Sequence, residues 1–567
     1  MSEAPVSGDA VDGGAGQGPG GLDGSGDATD TASLTRNSLA MASGTIVSRV
    51  LGMVRVVLQA SALGTVAMAA NAWDTANTLP NIIHTLLAGG VLNAILVPQI
   101  AKAGRHADGG RDYVDRLLTL SLTALAGATV VFTLLAAPLV WIYGADLPGD
   151  ARHLGTVFAL ICMPQVFFYG LYTLLGQVLN ARNQFASFMW APALANIVAI
   201  GGFGVFLATQ QRVAPVEEWT PTMIWLVAGS ATVGVAIQAL VLIWPLYRKG
   251  FRYRPRWGFR GVGLRSASRV AIWTFGAVVV SQLAFVVASN VLNFAAARGG
   301  AGRAAYSTAL LLFMLPHSLV TVSLITALFP RMSRAAVAGR IADVRADVRH
   351  GLRLTGVATV PITIAGIILA RPMSTTIFST LARLDRSSAL AVGDVLIAMM
   401  TALIPFGLFF LVQRAYYAFE DARTPFWFQV VISGVATAGN VVVLLLVAPR
   451  WMAVGAGAAL SLGNVIGSVA SFVWLRRRLG GLPVYDVVRT YVRLTLASVV
   501  AAVVTLLIIF GLDHVLTGKL LAFVVLAVGG GAFLLVYVVV ARRLRVGEID
   551  EILAPLSRRL RGALGRS

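Results

Sequence analysis

The run NSLAMASGTIVSRVLGMVRVVLQASAL (residues 37–63), followed by VAMAANAWDTANTLPNIIHTLLAGGVLNAILVPQIAKA (residues 66–103), decides how the whole chain is read. Each run is long and apolar enough to cross a hydrocarbon core of about 30 Å. The first nevertheless carries Arg49 near its middle and Arg55 beyond it. An arginine at that depth costs roughly 2.5–3.5 kcal/mol on insertion scales, so it faces a partner or a watery space rather than lipid. In the second run Asn71, Asp74, Thr78, Asn81 and Thr85 recur at steps of three and four, which is one stripe of a helix, and Asn77 and His84 widen it. Pro80, Gly89, Gly90 and Pro98 interrupt the backbone. Broken helix at membrane depth is tolerated only where it is buried in protein or lines a cavity. The pair reads as one wall of a water-filled, cationic chamber. The bland alternative is interhelical glue, the ordinary use of a single intramembrane Asn, Ser or Thr.

Working outward, the 567 residues are 57% hydrophobic and only 12% charged, with a mean hydropathy of +0.78, and this marks a polytopic membrane protein. The net charge of +20 does not indicate nucleic acid, because the cations sit in short loops between apolar runs and orient those runs in the bilayer. Lys102, Lys249 and Lys519 are the only lysines, so the basic character is arginine. Cys162 is the sole cysteine and lies in an apolar run, which excludes an intramolecular disulfide and a cysteine-based metal site.

Apolar runs predict fourteen spans in an all-α chain. After the opening pair they fall near 115–143, 152–180, 185–208, 222–247, 268–298, 303–330, 350–370, 387–419, 424–447, 452–475, 489–511 and 518–541. The heaviest arginine clusters, 248–269, 331–353, 476–493 and 542–566, then all fall on one side, which the charge rule makes cytoplasmic, together with both termini. Residues 1–35 are rich in Gly, Asp, Ser and Ala without an apolar run, and read as a disordered tail rather than a secretory leader.

Two matches reveal an internal repeat. Thr78-Leu79-Pro80 through Val97-Pro98 resembles Met314-Leu315-Pro316 through Phe329-Pro330. Pro164, Ala181, Arg182 and Phe185 correspond to Pro405, Ala422, Arg423 and Phe426. Spans one to six therefore duplicate spans seven to twelve in parallel orientation. The predicted organisation is a six-helix lobe over residues 36–250, a second over 251–480, an extra pair over 481–545 and a basic cytoplasmic tail over 546–567. Such lobes pack around a midplane site and rock to give alternating access. Pro80, Gly89, Gly90, Pro98, Pro316 and Pro330 are the expected hinge positions. In the second lobe Gln282, Ser289 and Asn293 share one stripe, and His317 and Thr321 another; His317 reads as a packed histidine rather than a ligand. Arg414 is a third cation inside a span, and reads equally as part of that polar surface or as a structural counter-ion for Glu420 or Asp421. The last two spans are nearly free of polar groups and read as anchors or as a groove for a lipid tail.

Enzyme chemistry finds no support. There is no glycine-rich phosphate loop with its Lys-Ser/Thr pair, no His-Glu-x-x-His and no Gly-x-Ser-x-Gly.

Asn37-Ser38, then Ser48-Arg49-Val50-Leu51-Gly52-Met53-Val54-Arg55, then Leu79-Pro80-Asn81 and Val97-Pro98, resemble the opening of the MurJ (MviN) family of lipid II flippases, within the superfamily of multidrug, oligosaccharidyl-lipid and polysaccharide exporters. The resemblance implies movement of the undecaprenyl-diphosphate-linked peptidoglycan precursor from the inner to the outer leaflet of a bacterial cell membrane. It also implies a cationic cavity between spans one, two, seven and eight, and a tail groove from the last two spans. On that reading Arg49 and Arg55 bind the diphosphate, with Asn71, Asp74, Asn81, His84, Gln282 and Asn293 around them. The sequence departs from the family pattern at Asn71, where relatives carry an acid, at His84-Thr85, where they carry two arginines, at Gly89 and at Leu311. The chamber is thus less cationic. No cofactor or metal is expected, and the energy would come from the membrane potential or a monovalent cation. Expected partners are lipid II or a similar lipid and cell-wall synthesis proteins. Alternatives are a flippase for another polyprenyl-linked oligosaccharide, a multidrug exporter, and, from another class, a non-transporting scaffold or a membrane glycosyltransferase.

Overall fold

The computed structural model describes residues 25–87, 111–181, 185–210, 213–258, 268–382, 384–514 and 518–550. The described residues are helical almost throughout, as a chain that must satisfy every backbone N–H and C=O inside lipid has to be. The helices are α1 (Ser25–Leu63), α2 (Met68–Leu87), α3 (Arg111–Leu134), α4 (Gly149–Cys162 and Gln165–Ala181), α5 (Phe185–Thr209) and α6 (Pro221–Arg248). They continue with α7 (Ser268–Ala296), α8 (Arg303–Val337), α9 (Ile341–Ser379), α10 (Arg386–Met400 and Leu403–Ala418), α11 (Arg423–Leu446), α12 (Pro449–Arg478), α13 (Val484–Asp513) and α14 (Leu520–Arg543). A short helix, Ala136–Tyr143, continues α3.

Among the described residues twelve helices are long and apolar enough to cross a membrane, and thirteen when the two pieces of α10, bent by 48°, count as one span. The expectation of fourteen is met to that extent. The helix that stands in the remaining place is α2, whose polar stripe takes it out of that class, and the end of its expected span, with Gly89, Gly90 and Pro98, lies outside the described residues. The tail expectation needs correction too. Residues 1–24 lie outside the described residues, but α1 already begins at Ser25, so 25–35 are helical. Similarly, α9 starts at Ile341, inside what reads as a basic loop: Val344, Val348 and Leu352 bury one face of it in the second lobe, and Arg331 pairs with Asp347 at 2.8 Å and Arg349 with Asp486 at 2.6 Å around that face.

The repeat is visible in how the helices pair. In the first lobe α1 packs on α5, α2 on the first piece of α4, α5 on α6, and the second piece of α4 on α6. In the second, α7 packs on α11, the start of α8 on the first piece of α10, α11 on α12, and the second piece of α10 on α12. Even the close crossings repeat. A Cβ at Gly234 of α6 would lie 2.8 Å from the carbonyl oxygen of Ala195 on α5, and one at Gly463 of α12 would lie 2.6 Å from that of Ile432 on α11. Only glycine lets these backbones approach so closely. The breaks in α4 and α10 fall beside Pro164 and Pro405, which have no N–H to donate to the carbonyl four residues back and whose rings crowd it.

The lobes interlock rather than merely touch. Val56 and Ala60 of α1 are buried in the apolar core of the second lobe, while Phe285, Val286 and Ala304 pack into that of the first. Helices α13 and α14 pack on each other and on α9, with Leu494, Ala497, Phe533 and Tyr537 against Val357 and Val360. The Tyr537 hydroxyl donates to the carbonyl of Val357 at 2.7 Å and the Tyr491 hydroxyl to that of Leu352 at 3.1 Å, so both phenols at this contact are satisfied.

Candidate functional site

A cavity of ≈ 520 Å³ lies between the lobes. Arg55 and Gln59 of α1, Asn77, Thr78 and Asn81 of α2, Gln165 and Tyr169 of α4, and Ser307 and Leu311 of α8 line it. The arrangement follows from helical spacing: Asn77, Thr78 and Asn81 fall on one face of α2, and Gln165 and Tyr169 one turn apart on α4. Arg55 is half-buried, and its Nε has no hydrogen-bond partner. Gln165, by contrast, donates to Thr232 at 2.9 Å. Among the described residues that line the cavity Arg55 is the one cation, since Leu311 stands on the opposite wall. A guanidinium held in a walled space with its Nε donor unused is suited to a carboxylate or phosphate, which arginine binds through paired N–H bonds.

Above the cavity, at the end of the bundle where α2 and α8 begin, the lobes are sealed by a polar seam. Asp74 of α2 accepts from Arg303 Nε and from the Ser307 hydroxyl, both at 2.8 Å. The Arg303 side chain is fully buried, Asp74 15% exposed. Arg303 also donates to Ser289 of α7, and its guanidinium lies 4.9 Å from the centre of the Phe285 ring and 5.8 Å from that of Tyr143. Ser289 and Asn293 donate to the Tyr143 carbonyl at 2.6 and 3.0 Å, capping the helix that ends there. Asn71 Oδ1 accepts from the backbone N–H of Ala304 at 2.9 Å, so a side chain of α2 caps the N-terminus of α8 across the lobe boundary. The seam requires Gly302, because a Cβ there would lie 2.5 Å from that same oxygen.

Toward the other end a second contact joins the lobes: Arg49 donates from Nη1 to the Ser318 hydroxyl at 3.0 Å. Ser318 stands in a π-helical turn, His317–Val322, directly after Pro316. Pro316 thus marks a real irregularity of α8. Pro80 and Pro330, by contrast, lie inside helices that run on through them.

The candidate residues therefore separate. Arg55 and Asn81 line the cavity. Arg49 bridges the lobes. Asn71 and Asn293, both without exposure, and Asp74 belong to the seam, where Asn71 and Asp74 have protein partners and Asn293 donates to Tyr143 while its Oδ1 has none. His84 lies one turn beyond Asn81, 3.2 Å from the Thr173 hydroxyl and against Tyr169. Gln282 is half-buried on α7, its Oε1 without a partner. His317 packs edge-on against Phe406 and Phe410 with ring centres 4.5 and 5.4 Å away, the packed histidine that was expected. Arg414 takes no acidic counter-ion from Asp421, which is held by Arg478 and Thr424; it lies 5.0 Å from the Phe410 ring centre. Arg303 was missed because a cation at the start of an apolar run reads as an interfacial flank.

The relatives agree with this architecture. A family model described as lipid II flippase MurJ matches residues 59–528. The chain is 28% identical over 482 residues to the lipid II flippase MurJ of Burkholderia cenocepacia, covering 83% of this chain and 89% of that one. It is 26% identical over 453 residues to a probable lipid II flippase MurJ of Rhizobium meliloti, covering 78% and 81%. Among solved structures, a lipid II flippase MurJ in an inward closed conformation superposes with a TM-score of 0.68 over 91% of this chain and 99% of that one at 19% identity. An inward-facing multidrug resistance MATE transporter of the MOP superfamily superposes with a TM-score of 0.63 over 78% and 98% at 14% identity. The two-lobed bundle, its interlobe cavity and the family match over most of the length together place this chain in the lipid II flippase MurJ family.

Proposed function

We propose that this protein is a lipid II flippase, a transporter rather than an enzyme, which moves the polyprenyl-diphosphate-linked precursor across a bacterial membrane by alternating access. The observation that carries the reading is Arg55, an arginine facing a walled cavity between two lobes with part of its guanidinium uncommitted. The energetic logic is that of anion transfer: the diphosphate would lose its hydration on entering, and fixed donors that need no reorganisation would replace it.

The conformation supports the same reading. With both termini cytoplasmic, as the arginine clusters favour, the Asp74–Arg303 seam closes the outer end, and the Arg49–Ser318 contact narrows the inner one. A cavity of ≈ 520 Å³ suits a drug-sized molecule. A sugar-peptide headgroup with its diphosphate is larger, so loading would require the Arg49–Ser318 contact to open. An apolar groove of ≈ 330 Å³ between α9 and α14, lined by Val357, Pro361, Phe533 and Tyr537, would take part of the prenyl tail. We propose the membrane potential or a monovalent cation as the energy source, and cell-wall synthesis proteins as partners.

The test is Arg55→Ala in cells depleted of their own flippase, with the outer-leaflet exposure of lipid II measured directly. Loss of exposure with normal membrane insertion is the expected result; wild-type exposure would remove Arg55 from the transport path. Arg55→Lys, which keeps the charge but not the paired geometry, should retain only part of the activity.

A further inference from the structure

A second apolar pocket, on the first lobe and away from the transport cavity, carries features of a different ligand. It is ≈ 470 Å³, lined by Leu118 and Leu122 of α3, Leu171 and Leu175 of α4, and Leu246 and Tyr247 of α6, and closed by Phe251, Arg252 and Tyr253. The closing segment, residues 251–258, has no regular secondary structure and is laid against α3 by two hydrogen bonds to Thr119: the Tyr253 hydroxyl at 2.8 Å and the Arg256 backbone N–H at 3.0 Å. The pocket therefore sits at the level where α3 begins and α6 ends, that is, at a membrane surface.

Its rim is cationic and aromatic. Residues 248–256 read RKGFRYRPR, five cations in nine residues with no acid, and all five are exposed. Arg248 stacks on the Trp244 ring with its guanidinium carbon 3.9 Å from the ring centre, and Arg252 lies 5.8 Å from that of Tyr247. Trp244 (60% exposed), Tyr247 (62%) and Trp257 (68%) stand outward beside them. Exposed aromatic rings of this kind mark the headgroup level of a bilayer, and clustered arginine at the cytoplasmic surface meets anionic lipid. An apolar slot with Arg252 in its lining and further exposed cations on the segment that closes it matches a molecule with a hydrocarbon chain below and a phosphate above.

We infer that this pocket holds one anionic diacyl phospholipid, an acyl chain between α3, α4 and α6 and the headgroup phosphate among Arg248, Arg252 and Arg254. The site lies at the foot of the connection from α6 into the second lobe, so the bound lipid pins the end of α6 from which that connection leaves. Its occupant is distinct from the transported lipid, whose cavity and groove have other walls.

The experiment counts lipids retained by the full-length protein in native mass spectrometry after exchange into phosphatidylglycerol and phosphatidylcholine mixtures, with undecaprenyl phosphate as competitor. Wild type should retain one phosphatidylglycerol in preference to phosphatidylcholine. Two surface arginines contribute a preference of roughly thirty-fold, so Arg252→Ala/Arg254→Ala should lose the headgroup preference yet still retain a lipid. Leu122→Trp, which fills the slot from a half-buried position, should retain neither. Unchanged phosphatidylglycerol retention in either variant overturns the inference, as does displacement of that lipid by undecaprenyl phosphate, which would make the pocket part of the transport path.

Discussion

Replacing Asp74 by Asn is the most direct test of how the lobes are held. The change keeps the shape and both neighbours but removes the anion from a fully buried Arg303, whose Nη2 already lacks a partner. Breaking a buried ion pair by removing one member costs about 3–5 kcal/mol. Because Asp74 keeps 15% exposure, the lower end applies, about 3 kcal/mol, or roughly a hundred-fold in the equilibrium between sealed and open seams. A seam closed ninety-nine times in a hundred would then be open about half the time. Spin labels at Asp146 and Arg298, exposed positions at the same end of the two lobes, report this as a longer interlobe distance in pulsed dipolar measurements. The double variant Asp74→Leu/Arg303→Met removes both charges together and should return most of the population to the short distance, since a buried pair is often replaceable by apolar groups of similar volume. A distance distribution for Asp74→Asn identical to wild type would refute the idea that this pair holds the seam.

Three further expectations follow from particular contacts. Gly302→Ala places a methyl group 2.5 Å from Asn71 Oδ1 and should widen the same distance distribution, with a cost of about 1–3 kcal/mol to the sealed state. Gly463→Val should lower thermal stability in detergent, because the α11–α12 backbones meet at that point. Asp385 caps the first piece of α10 in the connection after α9; burial pushes its carboxyl up, but hydrogen bonds from Ser387 and Ser388 outweigh this and hold it below the ordinary 3.8. Its stabilising effect is therefore present above that pH and lost as pH falls through the lower folded value. Asp385→Ala should cost about 1 kcal/mol at pH 7 and little in strong acid, which calorimetry at the two pH values checks.

The apolar runs and the two proline-marked repeats were sufficient to lay out the helices and their parallel duplication, because both depend on local periodicity. The polar stripe of α2 was legible as polar but not as divided. Asn71 and Asp74 meet the second lobe at a packed seam, whereas Asn77, Thr78 and Asn81, only a turn or two along, face the cavity. One helix face crosses two environments, and spacing within the helix carries no information about where its neighbour turns away. The signal that would have found Arg303 was Asp74 itself, since a lone carboxylate at membrane depth requires a cation.

The attachment of α13 and α14 has a mechanical consequence. They pack on α9, and so on the second lobe. A long hydrocarbon chain resting against them would travel as a passenger of that lobe, while the polar end of the same molecule sits in a chamber with walls from both. Each swing of the bundle must then change the angle between the two ends of the cargo, and a molecule with a flexible link between head and tail can follow that turn where a rigid one cannot.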